Sequence, residues 1–328
     1  MRIFIAGILT LLSAAYAASP SRRPEGPKEG IQTPGVRIPF SSLKAEATFP
    51  AQDRPGWIFY SRQIFVPTQD HIDKIDIKTN KTGDPVAGVN KPCGGMVSAF
   101  SSLWAASCGD GALLRIDPKT SKVTARITSG ADDVKDSIAA TADSVWLLTD
   151  SKTTLSRIDP DQNAVVGEIR VPAGCTGLTF GEAALWLACP NENKVLRINP
   201  ETNLLEKEIS VSAQPKALAI GANSVWVLCE KDGKIDRIDP KTNQVMKSIE
   251  LDVAGATGSI AYGDAFLWAT VRGFPLMRID PQTDTVVQQF YGASGGGAIA
   301  VSPGAIWLST SDAVLRIDPK LVLATLAE

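Results

Sequence analysis

Short apolar runs separated by polar turns recur along this chain with a period of about forty residues. The tetrapeptide Arg-Ile-Asp/Asn-Pro marks the period, and a weaker copy, Lys-Ile-Asp-Ile, begins at Lys74. The full copies begin at Arg115, Arg157, Arg197, Arg237, Arg278 and Arg316. Nine to eleven residues before each copy stands one aromatic side chain, in chain order Phe65, Trp104, Trp146, Trp186, Trp226, Trp268 and Trp307. A phase that is kept through seven copies predicts seven structural repeats.

Each repeat predicts four short strands, A to D, most clearly in the unit of Trp226. These strands are predicted over 216–220, 225–229, 234–238 and 245–251. Strand B is apolar on both faces, which is typical of a sheet packed between two others. Asp239 and Pro240 open the turn between strands C and D, because Asp accepts hydrogen bonds from the following backbone and Pro presets φ. The pattern predicts an all-β fold, a seven-bladed β-propeller of four-stranded antiparallel blades.

The beginning of each strand A carries a small residue. Nine residues before the aromatic side chains stand Gly56, Gly95, Ser137, Gly177, Ala217, Ser259 and Ala298. Strand A is the innermost strand of a propeller blade, and seven converging sheets leave room only for small side chains on one of its faces. The sequence therefore predicts radial packing around a central channel.

One segment that resembles a strand precedes the first repeat. Residues 43–49 match the strand D segment at 123–129, whereas residues 320–328 at the end of the last repeat have lost the Thr-Asn turn. We therefore predict that 43–49 completes the outer edge of the last blade. Joining the two ends of the chain in this way closes the ring and hides strand edges that would otherwise be free.

The first 42 residues differ in composition from the repeats. Arg2, an apolar run and small residues before Ala18 predict a signal peptide over residues 1–17. Five prolines and three glycines predict a flexible linker over 18–42, with the propeller over 43–328. No later stretch approaches the roughly 20 apolar residues of a membrane helix. We expect a secreted or periplasmic protein without a membrane span.

Positive and negative charges are nearly balanced, with 33 Lys and Arg against 35 Asp and Glu. The chain has no basic run, which argues against nucleic acid or an anionic membrane surface as its partner. We expect a monomer whose partner is a small polar or anionic ligand, or another protein, of unknown identity.

The five cysteines fall at repeating positions of the hairpin formed by strands A and B. Two lie eleven residues before the Trp of their unit, and two lie three or four residues after it, so each pair faces across the hairpin. The predicted disulfides are Cys93 to Cys108 and Cys175 to Cys189. In the unit of Trp226, Pro215 occupies the position that would pair with Cys229, so Cys229 is predicted to be a buried free thiol. Disulfides agree with export.

Strand direction sorts the charged residues between the two ends of the channel. The D to A and B to C loops rim one mouth, and the Asp-Pro turns surround the other. Few charged residues reach the first mouth, where they either converge on a polar or anionic ligand or form an ordinary solvated rim. The six candidates are Arg54, Lys135, Asp150, Lys216, Glu230 and Arg272.

The repeat is similar to that of a known family. Units such as Ser-Val-Trp-Val-Leu followed by Lys-Ile-Asp-Arg-Ile-Asp-Pro-Lys-Thr-Asn resemble the YVTN-type repeat propellers of bacteria, and more narrowly the virginiamycin B (streptogramin) lyase-like family. The resemblance covers residues 43–328 and implies the propeller fold. It also implies a site of histidine and glutamate side chains with a magnesium ion that opens a cyclic depsipeptide by elimination. Only one histidine, His71, is present, so the sequence does not complete that site.

Three functions compete on these observations. We favour a non-catalytic exported propeller that binds a ligand or a protein partner. The second is a metal-dependent enzyme at the central funnel, of the lyase or lactonase kind. The third is a component of a periplasmic redox system, although no Cys-x-x-Cys-His haem motif occurs. No catalytic residue, metal site or cofactor is predicted, because no Cys or His pair has zinc spacing and no glycine-rich segment has the Lys of a phosphate loop.

Overall fold

The computed structural model describes residues 36–324, apart from residue 52, residues 150–152 and residue 256. The predicted signal peptide at 1–17 and most of the predicted linker therefore lie outside the described residues. Within them, seven antiparallel sheets follow one another around a ring, and we number these blades 1 to 7 in chain order. The predicted fold, an all-β seven-bladed propeller with four-stranded blades, is confirmed.

Two short strands precede the blades, β1 (Arg37–Pro39) and β2 (Ala47–Pro50). Blades 1 to 4 consist of β3 (Phe59–Ser61), β4 (Gln63–Pro67), β5 (His71–Asp76) and β6 (Lys81–Ala87); β7 (Pro92–Ala99), β8 (Ser102–Ser107), β9 (Ala112–Ile116) and β10 (Val123–Thr128); β11 (Ile138–Ala140), β12 (Val145–Thr149), β13 (Thr154–Asp159) and β14 (Ala164–Arg170); and β15 (Thr176–Gly181), β16 (Ala184–Cys189), β17 (Lys194–Asn199) and β18 (Leu204–Ser210). Blades 5 to 7 consist of β19 (Pro215–Gly221), β20 (Ser224–Cys229), β21 (Lys234–Asp239) and β22 (Gln244–Glu250); β23 (Gly258–Gly263), β24 (Phe266–Val271), β25 (Phe274–Asp280) and β26 (Thr285–Tyr291); and β27 (Ile299–Ser302), β28 (Ala305–Ser309) and β29 (Ala313–Ile317), before helix α1 (Pro319–Ala324).

Blade 7 is completed by the beginning of the chain, as the sequence predicts. Strand β2 pairs antiparallel with β29, with Ala47 opposite Arg316 and Pro50 opposite Ala313. The Phe49 ring packs against Trp307 at a centroid distance of 5.9 Å. The paired residues begin later than the predicted segment 43–49, and Leu43 is buried in the core ahead of the strand.

The folded part also extends into the segment that we predicted to be a flexible linker. Strand β1 pairs parallel with β26 at the outer edge of blade 6, and Val36 is buried. The Arg37 guanidinium donates to the Gln289 amide oxygen at 2.8 Å and forms an ion pair with Asp252 at 2.6 Å. The boundary at residue 42 is therefore corrected: residues 36–42 belong to the propeller, because an unpaired strand edge and a buried amide give them partners.

The core lies between neighbouring blades, and one strand B tryptophan from each of six blades is almost fully buried in it. In four blades the indole N–H donates to a strand A carbonyl five residues earlier, as from Trp226 to Gly221 at 3.0 Å. The largest apolar cluster joins residues of blades 5 and 6. Each blade therefore depends on its neighbour for a core, as a repeat architecture requires.

The repeated Arg-Ile-Asp-Pro segment joins each blade to the next. Arg237 faces Trp226 across the ladder, and its guanidinium stacks on that ring at 4.8 Å. The same side chain donates to the Pro281 carbonyl and the Asp284 carboxylate in the turn of blade 6, both at 2.7 Å. At five of the contacts between neighbouring blades, which we call joints, a turn residue with positive φ accepts a hydrogen bond from the repeated arginine. These acceptors are Asn80, Asn163, Asn203, Asn243 and Asp284.

Both predicted disulfides are present, and they fasten the opposite end of the strands. Cys93 pairs with Cys108 in blade 2, and Cys175 pairs with Cys189 in blade 4. Cys229 is a buried free thiol, as predicted. Its Sγ lies 3.8 Å from the Asp236 carboxylate, and burial together with that charge raises the pKa of the thiol far above its usual range. The thiol is therefore protonated and unreactive at neutral pH.

Candidate functional site

A cavity of about 840 Å³ opens at the mouth that the D to A and B to C loops surround. Its wall takes residues from the start of strand A in five blades, namely Pro55, Thr176, Lys216, Gly258 and Gly297. Four of the six predicted site residues line it, and these are Arg54, Lys135, Lys216 and Glu230. The structure therefore brings cations from blades 1, 3 and 5 to the wall of one cavity. Asp133 adds a second carboxylate at the rim.

Lys216 and Glu230 form an ion pair inside blade 5. The ammonium of Lys216 lies 2.7 Å from the Glu230 carboxylate, whose side chain is only 7% exposed. The other carboxylate oxygen accepts from the N–H of Gly258 in blade 6 at 3.0 Å. A buried carboxylate needs such partners, because leaving it unpaired would cost several kcal/mol (~3–5). Glu230 therefore serves as an anchor between two blades.

Lys135 reaches across the cavity. It lies in the loop between β10 and β11, and its ammonium donates to the Gly258 carbonyl of blade 6 at 3.2 Å. Its own carbonyl accepts from Thr176 Oγ1 at 3.0 Å and from the N–H of Gly177 at 3.3 Å, both in blade 4. One exposed residue thus connects three blades around the mouth.

Arg54 lies on the other side of the mouth, before blade 1. It is exposed, and its guanidinium donates to the Gly295 carbonyl in the loop before blade 7 at 3.0 Å. Arg54 also lines a second cavity, of about 750 Å³, between blades 7 and 1. The two cavities meet at the segment 54–56.

The two remaining candidates are Arg272 and Asp150. Arg272 is exposed and does not line the cavity; its N–H donates to the Thr257 carbonyl at 3.1 Å. Asp150 lies outside the described residues.

The sequence prediction missed Asp133, which lines the cavity, and it also missed a carboxylate next to Lys135, that of Asp136. It occupies the same strand A position as Lys216, ten residues before the aromatic side chain of its unit, and these are the only two charged residues among the seven such positions. Burial raises the pKa of the Asp136 carboxyl, and the charge of neighbouring Lys135 only partly offsets this effect. Comparing charges at equal positions of the repeat would have found it.

His71 lies in the second cavity and not at the channel mouth. Its Nδ1 is 2.7 Å from the Asp70 carboxylate, and its Nε2 is 3.1 Å from the Asp73 carboxylate. Both ring nitrogens are therefore occupied by carboxylates, which is the arrangement of a histidine held by its neighbours. Across residues 36–324, apart from the five undescribed positions, no group of three or more His, Cys, Asp or Glu side chains could hold a metal ion.

The fold and the mouth define a seven-bladed propeller with a polar, mainly cationic channel entrance. Comparison with protein-family models finds no match, and no curated protein sequence matches the chain. Among solved structures, the fold is similar to that of virginiamycin B lyase from Staphylococcus aureus, with a TM-score of 0.69 at 17% identity over 83% of this chain and 98% of that one. A streptogramin B lyase is also similar, with a TM-score of 0.65 at 18% identity over 83% of this chain and 97% of that one. The expected resemblance to lyase-like propellers is confirmed at the level of the fold.

Proposed function

We propose that this protein is an exported, non-catalytic binding module that holds a small anionic or polar ligand at the loop-lined mouth of its channel. The observation that carries the proposal is the cavity of about 840 Å³ into which Arg54, Lys135 and Lys216 project from three blades. Cations placed around a concave site are the usual means of recognising carboxylate or phosphate groups. The two disulfides support export, because such bonds persist in oxidising compartments.

A lyase reaction is the alternative, and the site supports it less well. One similar structure contains a catalytically inactive histidine-to-alanine variant of the Staphylococcus aureus virginiamycin B lyase with quinupristin, at 17% identity and a TM-score of 0.67. A histidine is therefore needed for catalysis in that enzyme. The single histidine of this chain, His71, lies between two carboxylates in the second cavity. The binding role therefore accounts better for the residues at the mouth.

The proposal is tested by titrating the protein calorimetrically with inorganic phosphate, citrate and uncharged glucose. We expect binding of the anions but not of glucose. The triple variant Arg54→Ala, Lys135→Ala, Lys216→Ala should weaken anion binding at least about 100-fold, because each charge-assisted hydrogen bond contributes about 1.5–3 kcal/mol.

A matched triple variant removes three exposed lysines from the opposite face: Lys78→Ala, Lys119→Ala and Lys241→Ala. It lowers the net charge by the same amount but should leave binding within about twofold of wild type, because distant exposed charges are screened. Equal losses in the two triple variants would show general charge attraction and contradict a site at the mouth. Turnover of quinupristin by the purified protein would favour the lyase alternative.

A further inference from the structure

The two lysines of the mouth differ in what neutralises them. Lys216 contacts the buried carboxylate of Glu230 at 2.7 Å, whereas Lys135 donates only to an uncharged carbonyl, that of Gly258, at 3.2 Å. Separating a buried ion pair leaves an uncompensated charge in a site of low dielectric. Replacing a hydrogen bond to a neutral carbonyl carries no such penalty. A ligand can therefore recruit Lys135 much more readily than Lys216.

Lys135 also lies where a ligand must pass. Its loop of nine residues between β10 and β11 belongs to blade 3, and its ammonium ends at the first residue of β23 in blade 6. In a ring of seven blades, the third and the sixth are as far apart as any two can be. The side chain thus extends from blade 3 to blade 6 at the opening, where a molecule entering the cavity can contact its ammonium.

Glu230 holds Gly258, the residue that the Lys135 ammonium contacts, in place. Its carboxylate accepts from the N–H of Gly258, its backbone N–H donates to Gln214 at 3.0 Å, and its carbonyl accepts from Gly255 at 2.8 Å. The carbonyl of Gly258 is therefore held at one place for Lys135. Lys216 compensates the charge of Glu230 in that arrangement, so its ammonium is less available to a ligand than that of Lys135.

We propose that Lys135 is the cation that binds the anionic group of the ligand, in exchange for the Gly258 carbonyl, and that Lys216 and Glu230 are positioning residues that hold the far wall. The ligand class is a small molecule with an exposed carboxylate or phosphate, because a charged acceptor competes well against a neutral carbonyl for an ammonium. Arg54, whose partner is also a neutral carbonyl, provides the second cation. This inference rests on the proposed function and ranks the residues within it.

The ranking is tested by calorimetric titration of variants with inorganic phosphate. Lys135→Met should weaken binding at least tenfold, and the surface control Lys119→Met not at all. The double variant Lys216→Met, Glu230→Gln removes the ion pair without leaving an unpaired carboxylate, and it should weaken binding by less than threefold. Lys135→Arg should restore most of the affinity, which a merely structural role would not require. Losses that are equal for Lys135→Met and for the double variant would overturn the ranking.

The crossing of the mouth by Lys135, from blade 3 to blade 6, is tested without any ligand. In the variant Thr257→Cys, the new thiol lies in the wall of the cavity next to Gly258, the residue that Lys135 contacts, and its labelling rate with iodoacetamide reports access at the end of the crossing. Adding Lys135→Ala should speed labelling at least tenfold, whereas adding Lys119→Ala should not. An unchanged rate would overturn the crossing even if phosphate binds. If the wild type binds neither phosphate nor citrate, the binding function and the ligand role of Lys135 both fail, while the labelling contrast still measures the obstruction.

Discussion

The two ends of the channel use their charged residues in opposite ways. Around the Asp-Pro turns, one basic residue per blade stacks on its own aromatic ring or reaches the next turn, and this arrangement recurs from joint to joint, as for Arg115 and Arg237. At the loop-lined mouth, the three described cations that line the cavity come from three different blades, and each has a different partner. Repetition thus marks the residues that build the ring, and departure from it marks the residues that are free to serve a ligand.

One joint breaks the repetition on the turn side. Blade 7 has helix α1 in place of a turn, and Val322 stands where the turns of five other blades have Asn or Asp. The Arg278 guanidinium lies over the Phe266 ring at 4.6 Å. The strands from the beginning of the chain lie at the same joint, with β1 on blade 6 and β2 on blade 7. The joint between blades 6 and 7 is therefore built differently from the repeated ones.

The largest effect is expected from removing those strands. Deleting residues 18–50 should lower the melting temperature by at least about 10 °C, because the buried Val36, Leu43 and the packed Phe49 each contribute about 1.5–3 kcal/mol and each kcal/mol shifts the transition by about 2–4 °C. Deleting residues 18–35 alone should leave it unchanged. Thermal unfolding followed by circular dichroism compares the two. Equal melting temperatures would mean that contacts among the other strands of the blades keep the ring closed without strands β1 and β2.

The second largest effect is expected from removing a disulfide. The disulfides stabilise the loop-lined end of the strands, whereas the arginine contacts lie at the other end. The double variant Cys93→Ala, Cys108→Ala opens a bond with a sequence separation of 15 residues, worth roughly 3 kcal/mol on the chain-entropy account. Cys229→Ala, which removes one buried sulfur but no bond, should cost about 1 kcal/mol. Urea unfolding measures both. A loss in the double variant no larger than in the control would show that the mouth is rigid without its bonds.

The arginine contacts are tested by Arg237→Met. The variant keeps much of the apolar packing on Trp226 but loses the bonds to the Pro281 carbonyl and the Asp284 carboxylate, so it should cost about 2 kcal/mol. Lys234→Met, which removes an ion pair with Glu250 at the blade surface, should cost clearly less stability than Arg237→Met, because solvent screens an exposed pair. Phosphate binding should be unchanged in both variants. Weaker binding in Arg237→Met would couple the two faces and contradict their separation.

The sequence predicted the ring well because repetition fixes register. In blade 5 the four predicted strands agree with β19 to β22 within one residue at each end, and the disulfides follow from equal positions in different repeats. Strand β1 was missed because it is only three residues long and lies before the first repeat, so no repeated pattern marks it. The residues that its Arg37 contacts, Gln289 and Asp252, also lie far along the chain. The reach of Lys135 to Gly258 was missed for the same reason: an irregular loop has no counterpart in the other repeats to align with.

The smallest effect concerns Asp136, a charged residue next to Lys135. Its carboxylate makes no hydrogen bond with any residue that the structure describes, and burial raises its pKa above the ordinary value of 3.8. The folded state therefore binds the proton more tightly than the unfolded state, so protonation stabilises the fold, and this stability is lost as pH rises through the raised pKa. Asp136→Asn should stabilise the protein at pH 7, because the uncharged amide is not penalised by desolvation as the ionised carboxylate is. The gain should shrink as pH falls through the raised pKa and vanish below 3.8, where the wild-type carboxyl is protonated in both states.

Urea unfolding at several pH values measures this difference, with the turn carboxylate Asp117→Asn as the control of opposite sign, because backbone N–H groups lower the pKa of Asp117. If Asp136→Asn destabilises the protein at pH 7, the ionised carboxylate of Asp136 stabilises the fold. A residue that is not repeated would then help to build the ring, which contradicts the comparison between the two ends of the channel.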